Sequence, residues 1–193
     1  NARNLNGYRA HSNENQHLVN TVYEGELGNR SSISILGNYV DGEIEFPGSL
    51  TKTEIENNPL QAYSLAVSQD YKRITKKGRI AVRYKKNFGE QEENSLSEFE
   101  LTGYGGIKEL TKKDHWLYTI ATRYSLGALT RFTNHTKLFN QKNIFTIGMD
   151  FAHQSGPVTD FENKAGTRDF SVQHEFNESL SNLGLYGLEK FSL

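Results

Sequence analysis

Long stretches of this sequence alternate between apolar and polar residues with a period of two, and this feature limits the possible folds most strongly. In residues 76–88 the even positions include Ile80, Val82 and Tyr84, whereas the odd positions include Arg79 and Arg83. Successive side chains of a β-strand point to opposite faces of a sheet, while a helix repeats every ~3.6 residues. The segment is therefore predicted to be a strand with one apolar face and one basic face.

A second alternating segment follows closely, and the two are predicted to form a β-hairpin. Residues 95–104 place Phe99 on one face and Glu100 on the other, after a short polar turn. If residues whose numbers sum to 183 lie opposite each other, Tyr84 pairs with Phe99 and Arg83 with Glu100. Both faces are then complementary, because aromatic, apolar and opposite-charge cross-strand pairs each contribute ~0.2–1 kcal/mol. A structure in which Arg83 and Phe99 share a face would contradict this hairpin.

Further segments continue the alternation along the chain. They are residues 19–23 and 33–39, which oppose each other across the turn 28–30, then residues 117–133 and residues 145–151, with weaker strands at residues 5–11 and 183–193. Residues 117–133 exceed the mean strand of about 5–6 residues severalfold. The best helical candidate, residues 51–57, has two turns at most. The predicted fold is all-β, an antiparallel up-and-down meander of about eight strands.

The connections between these strands alternate in length. Long polar segments at residues 41–72 and 155–182 contrast with the short turn 89–94, a medium loop after Tyr104 and a shorter link after Thr133. Transmembrane barrels have short periplasmic turns and longer extracellular loops. We therefore expect a transmembrane β-barrel wall, with residues 41–72 and 155–182 as long extracellular loops.

The composition is compatible with such a barrel. Hydrophobic residues make up 35% of the chain and the mean hydropathy is −0.67. Barrel strands have lipid-facing residues only at alternate positions, so their mean hydropathy stays low. The 22 basic and 23 acidic residues give a net charge of −1, which indicates no nucleic-acid partner. Because the chain begins at Asn1 and stops inside an apparent strand, we expect a fragment or processed segment.

Residues typical of catalysis or metal binding do not form a recognisable pattern. The six histidines lack zinc-site spacing, cysteine is absent, and no G-x-S-x-G motif occurs. We therefore predict that the chain is not an enzyme and has no catalytic residue, no metal site and no cofactor.

A basic stripe on one strand allows two interpretations. It comprises Lys77, Arg79, Arg83 and Lys85. On a soluble strand it would be a solvated face. Inside a barrel it would face a water-filled lumen and, with Arg123 and Arg131, attract an anionic ligand.

A local motif resembles a known family. The segment Phe46-Pro47-Gly48-Ser49-Leu50-Thr51, followed by Glu54, Asn58-Pro59 and Gln61-Ala62, resembles an extracellular loop of TonB-dependent outer-membrane receptors, especially the ferric citrate and siderophore branch. Flanking features at residues 9–12, 146–150 and 183–186 agree. They follow the order expected for the middle of the barrel domain.

The resemblance implies that residues 1–193 are part of a 22-stranded transmembrane barrel, with the plug domain and TonB box outside this chain. Such receptors take up scarce metal chelates across the bacterial outer membrane with energy relayed through TonB. The implied partners are an iron chelate or other small nutrient, TonB through the plug, and outer-membrane lipid. Candidate ligand contacts are Arg79 and Arg123 in the lumen and Phe46, Tyr63 and Tyr71 in the loop.

Two other interpretations remain open at the level of sequence. About eight strands could close into a complete small barrel of the porin-like or adhesin type, in which the first and last strands pair. Alternatively, the apolar stripes could form the core of a soluble β-sandwich that binds carbohydrate.

Overall fold

The computed structural model describes residues 1–89, 96–138 and 141–191 of the 193-residue chain. Within them, eight antiparallel strands form one sheet, and each strand pairs with its neighbours in the sequence. The strands are β1 (Ala2–Leu5), β2 (Glu14–Gly28), β3 (Ser31–Glu45), β4 (Lys72–Phe88), β5 (Leu96–Lys113), β6 (Leu117–Leu138), β7 (Gln141–Lys164) and β8 (Thr167–Phe191). The predicted all-β meander of about eight antiparallel strands is confirmed.

The alternating sequence gives the sheet one apolar face and one polar face. Tyr84 lies between Ile33 and Leu101 in the register of β3, β4 and β5, so these three side chains share the apolar face. Arg83 lies between Ser34 and Thr102 on the polar face. The same division continues from β2 to β8, because most apolar positions in the central part of each strand pair lie opposite apolar residues or glycine.

Large side chains of the apolar face are exposed rather than packed into a core. Val82 is 39% exposed, Leu126 52% and Ile147 51%. Over the described residues, the buried hydrophobic side chains are Ala66, Ala121 and Val158, and all strands belong to the same sheet. A contiguous exposed apolar surface marks contact with another apolar surface or phase.

One connection is much longer than the others that the structure describes. Residues 46–71 join β3 to β4 and contain α1 (Lys52–Asn57) and α2 (Ser64–Ser68). Thr51 caps α1: its hydroxyl accepts the N–H of Glu54, whose carboxylate accepts the N–H of Thr51 at 2.7 Å. The helix expected at residues 51–57 is thus present, with Thr51 as its cap. In the described part of the chain, no helix is long and apolar enough to cross a membrane.

The β4–β5 hairpin has the predicted faces but not the predicted register. Tyr84 pairs with Leu101, so opposing residue numbers sum to 185 instead of 183. Arg83 and Phe99 still lie on opposite faces, because a shift of two residues moves side chains along the strand without turning them over. The predicted turn 89–94 lies outside the described residues after Gly89.

The prediction of a long loop at residues 155–182 is wrong. β7 continues to Lys164 and β8 begins at Thr167, so Ala165 and Gly166 alone connect them. The sequence here lost its alternation because polar residues occupy both faces, as in the pairing of Thr159 with Glu175 and of Asp160 with His174. Backbone pairing continues where the hydrophobic pattern stops.

Three other boundaries also differ from the prediction. β5 runs to Lys113, where a loop was expected after Tyr104, and the long loop 41–72 shortens to residues 46–71. β1 spans Ala2–Leu5 instead of residues 5–11. In each case the polar residues of a segment do not indicate whether its backbone pairs with a neighbouring strand.

The connections lie at two opposite ends of the sheet. The 46–71 loop, the 114–116 turn and the 165–166 turn lie at one end, which we call the loop end. The turn at Asn29 and Arg30 lies at the opposite end, and both residues have the positive φ angles, 47° and 56°, of a two-residue hairpin turn. Strand length rises from 15 residues in β2 to 25 in β8.

Candidate functional site

The polar face carries two groups of basic side chains with different surroundings. Toward the end opposite the loop end, the cations pair with carboxylates: Arg83 with Glu24 (3.6 Å), Lys85 with Glu98 (2.5 Å), and Arg131 with Glu98 (3.2 Å) and Glu100 (2.7 Å). These ion pairs offset the positive charge locally. This part of the face therefore has little excess charge to attract a ligand.

The second group lies nearer the loop end and forms what we call the basic row: Lys77, Arg79, Lys108 and Arg123. Lys77 faces Lys108 directly in the β4–β5 register, and Lys108 faces Arg123 in the β5–β6 register. In the part of the chain that the structure describes, no carboxylate oxygen lies within 4.0 Å of Lys77, Arg79 or Lys108. Like charges directly opposite each other destabilise a sheet, so the row is better suited to binding an anion than to stabilising the fold.

Arg123 differs from the other members because it has a carboxylate partner. Its Nε and Nη2 donate to the same oxygen of Glu178 at 2.9 and 2.6 Å. Glu178 lies on β8, so the arginine crosses β7 at Gly156 to reach it. The pair is partly exposed, with 31% and 39% of the two side chains accessible.

Three adjoining cavities follow the basic row along the polar face. The central cavity, about 420 Å³, is lined by the whole basic row together with Tyr104 and Gln154. A second cavity of about 560 Å³ shares Arg79 and Tyr104 with it and has apolar walls that include Val22 and Leu36. A third, about 240 Å³, shares Lys77 and Lys108 and extends to Arg73. The cavities together form a trough that presents N–H donors beside an apolar wall.

The structure brings two of the five predicted site residues together. Arg79 and Arg123 both line the central cavity. Phe46 lies at the start of the 46–71 loop, where the Arg73 guanidinium sits 5.8 Å from its ring centroid. Arg73 and Arg79 are about 20 Å apart along β4 at ~3.3 Å per residue. A single small ligand therefore does not reach Phe46 and Arg79 at once.

The other two predicted residues, Tyr63 and Tyr71, belong to the 46–71 loop. Tyr63 lies next to Gly48, and its backbone N–H donates to the carbonyl of Pro47 at 2.7 Å. Burial raises the pKa of the Tyr71 phenol above its ordinary value, and the neighbouring Tyr63 and Asp114 raise it further. Both tyrosines therefore pack within the loop and are remote from the basic row.

Asp70 fastens the end of this loop to the adjacent strands. Its carboxylate lies 3.1 Å from the ammonium of Lys72 and 2.7 Å from that of Lys113. Burial raises the pKa of Asp70, but the hydrogen bonds and charges of Lys113 and Lys72 outweigh it and hold the pKa below its ordinary value. The loop is thus attached to β5 as well as to β4.

Asn163 links the same loop to two further connections. This buried side chain donates to the carbonyl oxygens of Gln69 at 2.8 Å and Asp114 at 2.6 Å, and it accepts the N–H of Gly166 at 3.0 Å. Gln69 in turn accepts the N–H of Ala165 at 3.0 Å. Three connections at the loop end therefore form one hydrogen-bonded cluster.

Sequence reasoning did not select three residues that the geometry brings to the site: Lys77, Lys108 and Glu178. Lys77 belongs to the basic stripe predicted from the sequence, but the sequence does not distinguish it from Arg83 and Lys85. In the structure, those two side chains pair with carboxylates. Lys108 and Glu178 fall in segments interpreted as loops. In the residues described, no group of three or more His, Asp or Glu side chains could hold a metal ion.

No model of a protein family matches the sequence. Among solved structures, the fold is similar to that of the ferric citrate transporter FecA in its unliganded form, with a TM-score of 0.76 over 96% of this chain. The two sequences are 12% identical, and this chain spans 28% of the length of that one. At this identity the likeness concerns the fold: the open eight-stranded meander corresponds to part of the FecA chain.

Proposed function

We propose that this chain forms part of the wall of an outer-membrane transporter that takes up an anionic iron chelate, of the ferric citrate or ferric siderophore type. The observation that carries the proposal is the basic row, whose positive charge is largely uncompensated on the polar face of a barrel-like sheet. Energy for uptake would come from TonB through a plug domain outside this chain.

The height of the apolar face supports a membrane location. Exposed apolar side chains extend from the row of Gly78 and Ile107 to that of Phe88, ten residues along β4. This is about 33 Å along the strand at ~3.3 Å per residue. With a strand tilt of about 35–45°, the band would be about 25 Å tall, which matches the apolar band of transmembrane barrels.

The margins of this band also resemble those of a membrane protein. Tyr39 and Tyr124 lie at the margin nearer the loop end, and four phenylalanines lie near the other: Phe88, Phe99, Phe132 and Phe145. Aromatic girdles at both interfaces are typical of outer-membrane barrels. Beyond the tyrosines the same face becomes charged, with Lys76 between Asp41 and Glu109. We infer that the loop end lies outside the cell.

This orientation gives the basic row a function in capture. Lys77 lies between Lys76 and Gly78, so the row is level with the outer margin of the apolar band. An anion that enters the lumen from outside would pass Arg73 and then meet this row. The carboxylates of ferric citrate, the compound named for the structurally similar transporter, suit such lysine and arginine donors.

The two other interpretations have less structural support. A closed small barrel requires its first and last strands to pair, whereas β1 and β8 lie at opposite edges of the described sheet. A soluble sandwich requires a second sheet to cover the apolar face, and the described strands form a single sheet.

Binding of ferric citrate to the full-length protein in detergent micelles tests the proposal. We expect the double variant Lys77→Gln, Arg79→Gln to weaken binding about tenfold or more, because each loses a charged hydrogen-bond donor. A neutral ferric hydroxamate chelate should show little change. Uptake of radioactive iron by cells should fall in parallel.

The matched control is the double variant Lys85→Gln, Arg131→Gln. It removes the same charge from the same face, but at side chains already paired with carboxylates. Equal losses in the two double variants would show that the basic row is not a specific site and would contradict the proposal.

A further inference from the structure

Glu178 is the carboxylate within ion-pair distance of the basic row in the described structure. Lys77, Lys108 and Arg123 lie in one line in the registers of β4, β5 and β6, and Gly156 pairs with Glu178 in that of β7 and β8. The β6–β7 pairs on either side of Arg123, Ala121 with Val158 and Tyr124 with Ser155, place Gly156 level with Arg123. Nε and Nη2 of Arg123 both donate hydrogen bonds to one carboxylate oxygen of Glu178. The positive charge of Arg123 is thereby offset, while Lys77 and Lys108 keep theirs.

Gly156 makes this ion pair possible. β7 lies between the strands of Arg123 and Glu178, so the arginine side chain must pass over it. A Cβ atom at Gly156 would overlap the carbonyl group of Thr122 and approach Cα of Arg123. The absence of a side chain lets β6 approach β7 closely and leaves an open path above the strand.

We propose that Glu178 is an internal counter-ion that competes with the anionic ligand for Arg123. The inference rests on the proposed function, since it concerns the same site. An incoming carboxylate would be held by Lys77, Arg79 and Lys108 and would displace Glu178 from the guanidinium. Both side chains are partly exposed, so the exchange needs no opening of a packed core. This competition lowers the affinity of the site for the anionic ligand and so favours its release.

The variant Glu178→Gln tests the inference in the full-length protein, with ferric citrate as the probe and calorimetry in micelles as the readout. Glutamine has nearly the same shape but cannot offset the arginine charge. We expect ferric citrate to bind about fivefold more tightly, which corresponds to removal of one competing, partly exposed ion pair. The shorter Glu178→Asp should give a smaller increase.

The matched control is Glu175→Gln, which removes the same charge from the same strand. Glu175 pairs with Thr159 on the opposite face of the sheet. We expect its affinity to stay within about twofold of the unchanged protein, because the sheet and solvent screen it from the site.

The outcomes separate this inference from the proposed function. If Glu178→Gln leaves affinity unchanged or weakens it, Glu178 does not compete for Arg123, and the inference is overturned. The proposed function still stands in that case provided that Lys77→Gln, Arg79→Gln weakens binding. If the unchanged protein binds no ferric citrate, both fall together. If Glu178→Gln does not fold, Glu178→Asp replaces it as the test: tighter binding of ferric citrate supports the inference, and unchanged or weaker binding overturns it.

Discussion

At the scale of single residues, the most informative feature is the direct opposition of Lys77 and Lys108. Two ammonium groups on adjacent strands repel each other, and the carboxylates that could separate them lie elsewhere on the face. A sequence selected only for stability would place an acidic residue at one of these positions. The pair therefore costs stability, and the proposed anion binding would explain why both side chains are present.

Replacing Lys108 with Gln should make the sheet more stable and the site weaker. We expect the free energy of unfolding to rise by a few tenths to about 1 kcal/mol, because a like-charge cross-strand pair is removed. Denaturant unfolding followed by tyrosine fluorescence would measure the change, and calorimetry would measure the loss of ferric citrate binding.

Lys85→Gln is the comparison for this variant. It breaks the 2.5 Å ion pair with Glu98, so the stability should fall or stay level. A loss of stability of the same size in Lys108→Gln would show that Lys108 has a structural partner.

The sequence could identify only part of this site. Arg79 and Arg123 were predicted because each lies on the polar side of a clearly alternating strand. Lys108 was missed because Gly103, Gly105 and Gly106 interrupt the alternation before it, and Glu178 because polar residues occupy both faces around it. Whether a cation has a carboxylate partner depends on its neighbours across three or more strands. Residue spacing in the sequence does not reveal these neighbours.

At the scale of elements, the 46–71 loop owes its order to its neighbours. It buries one hydrophobic side chain fully, Ala66, and its helices have only six and five residues. Helices this short are not stable alone. Asp70 and Asn163 hold the loop against the ends of β5 and β7.

The Asp70 attachment should be sensitive to acid. The folded-state pKa of Asp70 lies below the unfolded value of about 3.9, so its stabilising effect is complete above that value and is lost as the pH falls through the folded-state pKa. We expect a spin label at Ser49→Cys in the loop to gain mobility below about pH 4. In Asp70→Asn the label should be mobile already at pH 7, with no acid transition.

Glu56→Gln provides the control within the same loop. Within the described residues the ion-pair partner of Glu56 is the exposed Lys52, at 3.8 Å, so this variant should keep the acid transition. An acid transition that persists in Asp70→Asn would assign the attachment to another group.

The elements themselves were predictable to different degrees. Alternation identified part of each strand from β2 to β7, but it missed the centre of β8, which was predicted to be a loop. The odd and even positions kept the faces of β4 and β5 correct despite a register error of two residues. The register of a strand pair cannot be deduced from odd and even positions, because a shift of two residues leaves every side chain on the same face. Tyr84 would have met an apolar partner in either register.

At the scale of the whole molecule, the sheet separates apolar from polar side chains. Its apolar face has the height of a lipid bilayer core, and its polar face carries charged side chains that need water or a ligand. This separation is what distinguishes the proposed barrel wall from a soluble sandwich.

Adjacent positions on opposite faces test this separation at equal depth. The chain contains no cysteine, so Val82→Cys and Ala81→Cys can each carry a spin label. In lipid vesicles we expect the label at Val82 to collide mainly with dissolved oxygen, which concentrates in lipid, and the label at Ala81 mainly with a water-soluble nickel complex. Similar accessibility at both positions would contradict a membrane-spanning sheet.

The attachment of the 46–71 loop also affects the order of events during folding. Its bonds to Asn163 and Ala165 join residues separated by 94 and 96 positions in the chain. Contacts so distant in sequence form late, because a long segment must be ordered before they are gained. The loop thus reaches its final form only after the β7–β8 hairpin is in place, so a defect in that hairpin would also leave the loop end incomplete.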